Sequence, residues 1–310
     1  MEVEYQVTII ITSYNKQKYI KQAIDSVYKQ KCNFNIELII VDDNSTDNSW
    51  LIIKEAAKSS PFDTKLFKNK NNKGITKTWI DICKKAKGKY IARLDGDDYW
   101  TDPDKLNKQI NQLENDKNSK WCCTDFNMID KNNNLIAKNC IKNKKVPYAD
   151  NFENMLIKKG FTNPSSWVID RNLLNKVNAN IDKNAVDDTY NIQLELFMRT
   201  KLLLIQDVTN VYRRLPQSDS SLSEKRINGL LKTQLDYLNN YTKYNSDSML
   251  KISLEEYAEL QLSQIDQINI INHQKKIMDS LTNEIEKMKS SKTWKIGSFF
   301  TKPMHRLFNK

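Results

Sequence analysis

Within its first hundred residues the chain switches repeatedly between two periodicities, and no other feature constrains its fold as strongly. The apolar runs VTIIIT (7–12), ELIIVD (37–42) and KYIARL (89–94) read as strands buried on both faces, and KLFKN (65–69) as a further strand. Between them lie helical patterns. NKQKYIKQAIDSVYKQ places Tyr19, Ile20, Ala23, Ile24, Val27 and Tyr28 on one stripe, and WLIIKEAAK follows a turn rich in N-cap residues. The stretch from Ile75 to Lys87 reads as a helix ended by Gly88. This alternation implies an α/β fold: a Rossmann-like, mostly parallel sheet with helices on both faces. Such sheets bind ligands at the carboxyl ends of their strands. The polar loops TSYN, DDNSTD and DGDD all fall at those ends.

The pattern loosens after residue 100. Asp102 followed by Pro103 predicts a capped helix running through Leu113, and WCCTDF a strand. A Lys/Asn-rich loop spans 131–145, FTNPSSWVID is a turn entering a strand, and NAVDDTYNIQLELFMRT an acidic turn entering a helix. Beyond Arg214 the sequence is polar and helical. Leu254, Ala258, Gln261, Ile265 and Ile268 keep a 4-3 spacing. After a slip, Ile271, Met278, Leu281, Ile285 and Met288 resume it, with Gln274 at the missing core position. This is an imperfect coiled-coil pattern, suited to a homo-oligomer or to packing on the chain's own core. Expected boundaries are an α/β domain at 1–215, divided near residue 100 where the pattern loosens. A helical extension (216–290) and a basic tail (291–310) follow.

The formal charge of +11 suits acidic partners, but from Lys287 to Lys310 there are seven Lys or Arg and no acid. That clustering argues against a nucleic-acid surface. On a helical projection Ile296, Phe300, Met304 and Leu307 face one way with Lys295, Lys302 and Arg306 beside them. Such a helix suits an anionic bilayer surface, with docking on the protein's own body as the alternative. The five cysteines show no metal-ligand spacing and read as small hydrophobes of a reducing compartment. With no signal peptide and no apolar run long enough to span a bilayer, the expected location is cytoplasmic, peripheral to the inner face of the membrane.

The chemistry concentrates in YIARLDGDDYW. Helix capping accounts for Asp102 and Asp104 but not for Asp95, Asp97 and Asp98. Closely spaced carboxylates without His or Cys suit a hard divalent cation, Mg²⁺ or Mn²⁺, with few protein ligands and with water and diphosphate completing its shell. Tyr14 offers a ring for a base to stack on, Thr12 and Asn15 offer polar edges, and Asp43 a carboxylate for the imide N–H of uracil. Together these residues describe a pocket for a nucleoside diphosphate and its metal.

In this order and spacing, VTIIITSYNKQKYIKQAIDSV, LIIVDDNSTDNS, NNKG, GKYIARLDGDDYW and DPDKL resemble the family 2 nucleotide-sugar glycosyltransferases of the GT-A fold, over residues 5 to 215. The resemblance implies an inverting transferase that moves a sugar from a nucleotide-sugar donor, a UDP-hexose, to a hydroxyl of a glycan acceptor, with 1–215 as its catalytic domain, 1–100 the nucleotide-binding half and 101–215 the acceptor half. Thr12, Tyr14 and Asp43 would contact the base, Asp95 the ribose, and Asp97 the metal, with Asp95 beside it. In the later acidic motif Asp187 precedes Asp188, which takes the position of the catalytic base; helix capping is the simpler alternative for both. Two departures stand out. Leu215 replaces a His common in the family, leaving Arg213 and Arg214 to meet the diphosphate or surface acids. NNKGITKTWID lacks an Arg-Asn pair, for which Lys77 supplies the positive charge. A nucleotidyltransferase would want a glycine-rich phosphate loop, which TSYNKQKY lacks. The remaining alternative is a catalytically weak, transferase-like scaffold working through its helical C-terminus.

Overall fold

The structure is a computed structural model and describes residues 4–185, 187–215, 224–240, 273–284, 286–287 and 290. The chain divides into two compact units, Met1–Met249 and Leu250–Lys310. Among the described residues the first carries nine strands in one sheet. The strands are β1 (Val7–Ser13), β2 (Ile36–Asp42), β3 (Asp63–Lys68), β4 (Tyr90–Asp95), β5 (Tyr99–Trp100), β6 (Ser119–Ile129), β7 (Leu135–Ala137), β8 (Val168–Asp170) and β9 (Lys201–Arg213). The helices are α1 (Ile20–Tyr28), α2 (Ser49–Ala57), α3 (Ile75–Cys83), α4 (Lys105–Asn115), α5 (Phe152–Lys158), α6 (Arg171–Asn180), α7 (Asp188–Phe197) and α8 (Glu224–Asn240).

Strand order is β3-β2-β1-β4-β8-β6-β9-β5, with β7 on β6. The first four strands pair in parallel, as continuous apolar runs require when both faces are covered. Ile10, Ile39 and Ile91 point to the face packed by α3, α6 and α7. Ile9, Ile11, Leu38 and Ile40 point to the face packed by α1, α2 and α4. Cys122 and Cys123 separate onto these two faces in the same way, and both thiols are free. This is the α/β architecture that the alternation implies, with a mixed second half: β8 is antiparallel to both β4 and β6.

Local departures have local causes. The helix expected to reach Lys87 stops at Cys83. Gly88 is not its cap; a Cβ there would lie 2.3 Å from the Thr8 amide nitrogen, so glycine is needed for the chain to pass against β1. The helix expected at Asp102-Pro103 is regular from Lys105, after a turn in which the Asp102 carboxylate accepts from the Asp104 amide at 2.9 Å. The 13-residue β9 carries no clean period-2 alternation, and its first eight residues are exposed or half-exposed.

Helix α8 belongs to the first unit. Tyr237 and Leu230 pack with Phe152, Leu156 and Leu194 of α5 and α7, and Gln234 donates to the Leu156 carbonyl at 3.0 Å. In the second unit residues 273–284 are helical, and Met278 and Leu281 are exposed. The expected 4-3 positions 254–271, Ile285 and Met288, and the basic tail 291–310, lie outside the described residues. Among the described residues no helix is long and apolar enough to cross a membrane.

Candidate active site

Strand register brings the predicted loops together. Thr12 pairs with Asp95 across β1 and β4, and Ser13 with Asp42 across β1 and β2. The three loops therefore leave the same edge of the sheet. Thr12 Oγ1 donates to Asp95 Oδ1 at 3.1 Å, and the Gly96 amide donates to the Thr12 carbonyl at 2.9 Å. A Cβ at Gly96 would sit 2.8 Å from that carbonyl oxygen, so only glycine lets the loop lie so close. A cleft of about 1130 Å³ opens above this edge, large enough for a nucleotide sugar. Thr12, Tyr14, Asn15, Asp43, Lys77, Asp95, Asp97, Asp187, Asp188 and Arg213 all line it.

Their surroundings differ. Tyr14 is 43% exposed, its ring open to a planar ligand. Asn15 holds a left-handed conformation (φ 53°), and its side chain accepts from the Thr46 amide at 2.8 Å, tying two loops together. Asp42 is buried and accepts from the Ser45 amide, whereas Asp43 accepts from the Lys73 and Gly74 amides and from Asn69. The Asp43 carboxylate thus anchors the NNKG loop, and a base N–H would join a crowded acceptor. Lys77 is exposed at the cleft. Ser13 Oγ, buried at the cleft, has no hydrogen-bond partner, and sequence reasoning did not single it out.

The three acids of DGDD do three different things. Asp95 faces the cleft and is bound by Arg93 Nε at 3.0 Å. Asp97 also faces it, paired with Lys16 Nζ at 2.6 Å. Asp98 turns inward: Oδ2 accepts from Ser165 Oγ at 2.6 Å and Oδ1 from the Arg213 amide at 2.8 Å. Burial, with Asp97 and Asp95 adding to it, pushes the Asp98 carboxyl well above the usual carboxylate range. Asp98 therefore drops out of the expected cation cluster. Among the described residues no group of three or more His, Cys, Asp or Glu side chains is arranged to hold a metal. Asp97, with Asp95 beside it, fits a hard cation held by one or two carboxylates and otherwise by diphosphate and water. The Lys16 ammonium at Asp97 marks that oxygen as a place for positive charge.

Asp187 and Asp188 also separate. Asp187 caps α7, accepting from the Tyr190 amide at 3.0 Å, and forms an ion pair with Arg226 of α8. Asp188, at the first helical position, is buried, and its Oδ2 lies 2.5 Å from Arg93 Nη1. Burial raises its carboxyl above the ordinary value; Arg93 opposes the rise and Asp187 adds to it.

Arg213 corrects an expectation. It is 1% exposed, stacks 4.5 Å from the Tyr19 ring, and donates to the Asp97 carbonyl (2.9 Å), Gln22 (2.9 Å) and Asn133 (2.6 Å). A guanidinium so committed braces the DGDD loop; it is not free for a diphosphate or for surface acids. Arg93 and Arg226 were missed. An arginine inside the apolar run YIARL was a readable signal, since a buried charge demands partners. Arg226 carried none, because only the folding of α8 back onto α7 brings it to Asp187.

The model of Glycosyl transferase family 2 matches residues 8–177. A glucosyltransferase of Escherichia coli, WfgD, described as UDP-Glc:alpha-D-GlcNAc-diphosphoundecaprenol beta-1,3-glucosyltransferase, is 34% identical over 172 residues, covering 56% of this chain and 63% of WfgD. The chain thus spans less than two thirds of that relative. Two solved structures share the fold. Staphylococcus aureus TarS 1–349 in complex with UDP-GlcNAc superposes with a TM-score of 0.62 at 18% identity, covering 81% of this chain and 71% of TarS. The mannosyltransferase PcManGT of Pyrobaculum calidifontis, in complex with GDP-Man and Mn²⁺, gives a TM-score of 0.56 at 14% identity, covering 100% and 89%.

Proposed function

The chain belongs to glycosyl transferase family 2, and from that membership we propose that it transfers a hexose, with inversion, from a UDP-sugar to a hydroxyl of a growing glycan. The observation that carries this reading is the meeting of Tyr14, Asp97 and Asp188, from three distant segments, in one cleft at the carboxyl edge of the sheet. The names of the relatives support it: WfgD uses UDP-Glc, and TarS was solved with UDP-GlcNAc.

In this reading Tyr14 stacks on the base with Thr12 beside it, Asp95 holds the ribose side, and Lys77 approaches the diphosphate. Asp97 and Asp95 would hold a divalent cation, which would supply Lewis acidity toward the departing UDP. Asp188 accepts the proton of the acceptor hydroxyl as that oxygen forms its bond to the anomeric carbon. The bond from that carbon to the UDP oxygen breaks on the opposite face, and its electron pair leaves with UDP. A carboxyl lifted by burial is better matched to proton acceptance near neutral pH than an exposed one. A lipid-linked acceptor is the class that the relative's name favours.

The test is hydrolysis of UDP-glucose, UDP-galactose and UDP-N-acetylglucosamine with Mn²⁺, comparing wild type with Asp97→Asn. The variant is expected to fold normally and to lose both Mn²⁺ binding and Mn²⁺-stimulated UDP release. Full Mn²⁺-dependent turnover in Asp97→Asn would remove that residue from the cation site. Failure to bind any UDP-sugar or UDP would overturn the donor class.

A further inference from the structure

Arg93 projects from β4, two residues before Asp95, and is 1% exposed. Its Nη1 lies 2.5 Å from Asp188 Oδ2, its Nε 3.0 Å from Asp95 Oδ1, and its Nη2 3.5 Å from Asp95 Oδ2. The guanidinium carbon sits 4.6 Å from the centroid of the fully buried Trp79 ring. Burial opposes its charge, but Asp188 and Asp95 outweigh that and hold the guanidinium firmly protonated. One planar fork therefore joins a carboxylate on the UDP-sugar side of the cleft to one on the acceptor side, with an indole fixing its plane.

We propose that Arg93 is a positioning residue that holds the Asp188 carboxylate in register with the UDP-sugar side of the cleft through a single bridging guanidinium. The inference rests on the reading of Asp188 as the base. Only one Asp188 oxygen is committed: among the described residues no protein group donates to Oδ1, while Oδ2 stays with Arg93. A proton can arrive on Oδ1 without breaking the bond that orients the carboxylate. The two carboxylates come from elements far apart in sequence, so local helix geometry cannot fix their separation; Arg93 can. Lysine cannot replace it, because a single ammonium lacks the fork that reaches both acids. A general base displaced by about 1 Å loses on the order of 10²-fold in rate.

The test uses the full chain, with Arg93→Lys, Arg93→Met (Arg93→Gln if the Met variant does not fold) and Asp188→Asn. UDP binding is measured by calorimetry and turnover as UDP release from the best of the three UDP-hexoses. The carboxyl titration of Asp188 is followed by ¹³C-aspartate NMR, assigned by its loss in Asp188→Asn. Arg93→Lys is expected to bind UDP within about threefold of wild type while turnover falls roughly 10–10²-fold. In Arg93→Met the Asp188 titration, and with it the acid limb of turnover, should move to higher pH, because the charge that opposes burial is gone. Wild-type turnover in Arg93→Lys, a parallel loss of UDP affinity, or an unmoved Asp188 titration in Arg93→Met would each overturn this inference and leave the base assignment standing. Wild-type turnover in Asp188→Asn would remove the base assignment, and the inference with it.

Discussion

Asp98 separates two readings of the same acidic loop. If it were a cation ligand, Asp98→Asn would be as damaging as Asp97→Asn. In the structure it is a buried brace, absent from the cleft lining, that accepts from Ser165 Oγ at 2.6 Å and from the Arg213 amide at 2.8 Å. Asparagine can keep both contacts, its oxygen taking the amide and its NH₂ facing the hydroxyl. Turnover should therefore stay near wild type. Alanine leaves two buried donors unpaired, at about 1–3 kcal/mol each, for a loss of roughly 2–6 kcal/mol. At about 2–4 °C per kcal/mol for a chain of this size, Tm should fall by at least roughly 4 °C. The pH dependence supplies a sign. The Asp98 carboxyl is raised in the folded state, so its contribution is full below the unfolded value of about 3.9 and is lost as pH rises through the folded value. The amide of the Asp98→Asn variant cannot ionise, and its Tm advantage over wild type should grow from pH 4 toward pH 8. Thermal melts of both variants across that range, with UDP release at each pH, make the measurement. An inactive but stable Asp98→Asn, or an Asp98→Ala as stable as wild type, would refute the argument.

Lys105 is fully buried against Trp100, bonded to Gln109 Oε1 at 2.5 Å, and burial pushes its ammonium down to about 7. Between there and the unfolded value of about 10.4 the unfolded chain binds the extra proton, so this group's contribution to stability rises with pH. Urea unfolding at pH 7, 8.5 and 10 should show the stability of Lys105→Met relative to wild type declining as pH rises; a pH-independent difference would refute the reading. Trp121 is fully buried, edge-on to Trp167 and Phe197 at 5.8 and 5.3 Å, and its indole nitrogen has no partner to lose. Trp121→Ala should cost about 3–5 kcal/mol in urea unfolding, nearly all of it packing; a loss below about 1 kcal/mol would contradict the observed core.

Whatever depends on short-range periodicity was legible in the chain before any fold was known. Ile9, Ile10 and Ile11 alternate between the two faces of β1, and Ile20, Ala23, Ile24 and Val27 share one side of α1. Those patterns placed the first half of the sheet, and the polar loops at its carboxyl edge followed from them. The direction of each polar side chain was not legible. Asp95, Asp97 and Asp98 are equivalent as letters. Asp98 turns inward because Ser165, 67 positions later, and Arg213, 115 positions later, meet it. Asp188 is held by Arg93 across 95 positions, and Asp187 meets Arg226 only because α8 folds back on α7. Buried polar groups must find partners, but which partner each finds is fixed only when distant segments close around it. The division of labour among the acids is therefore set by tertiary contacts.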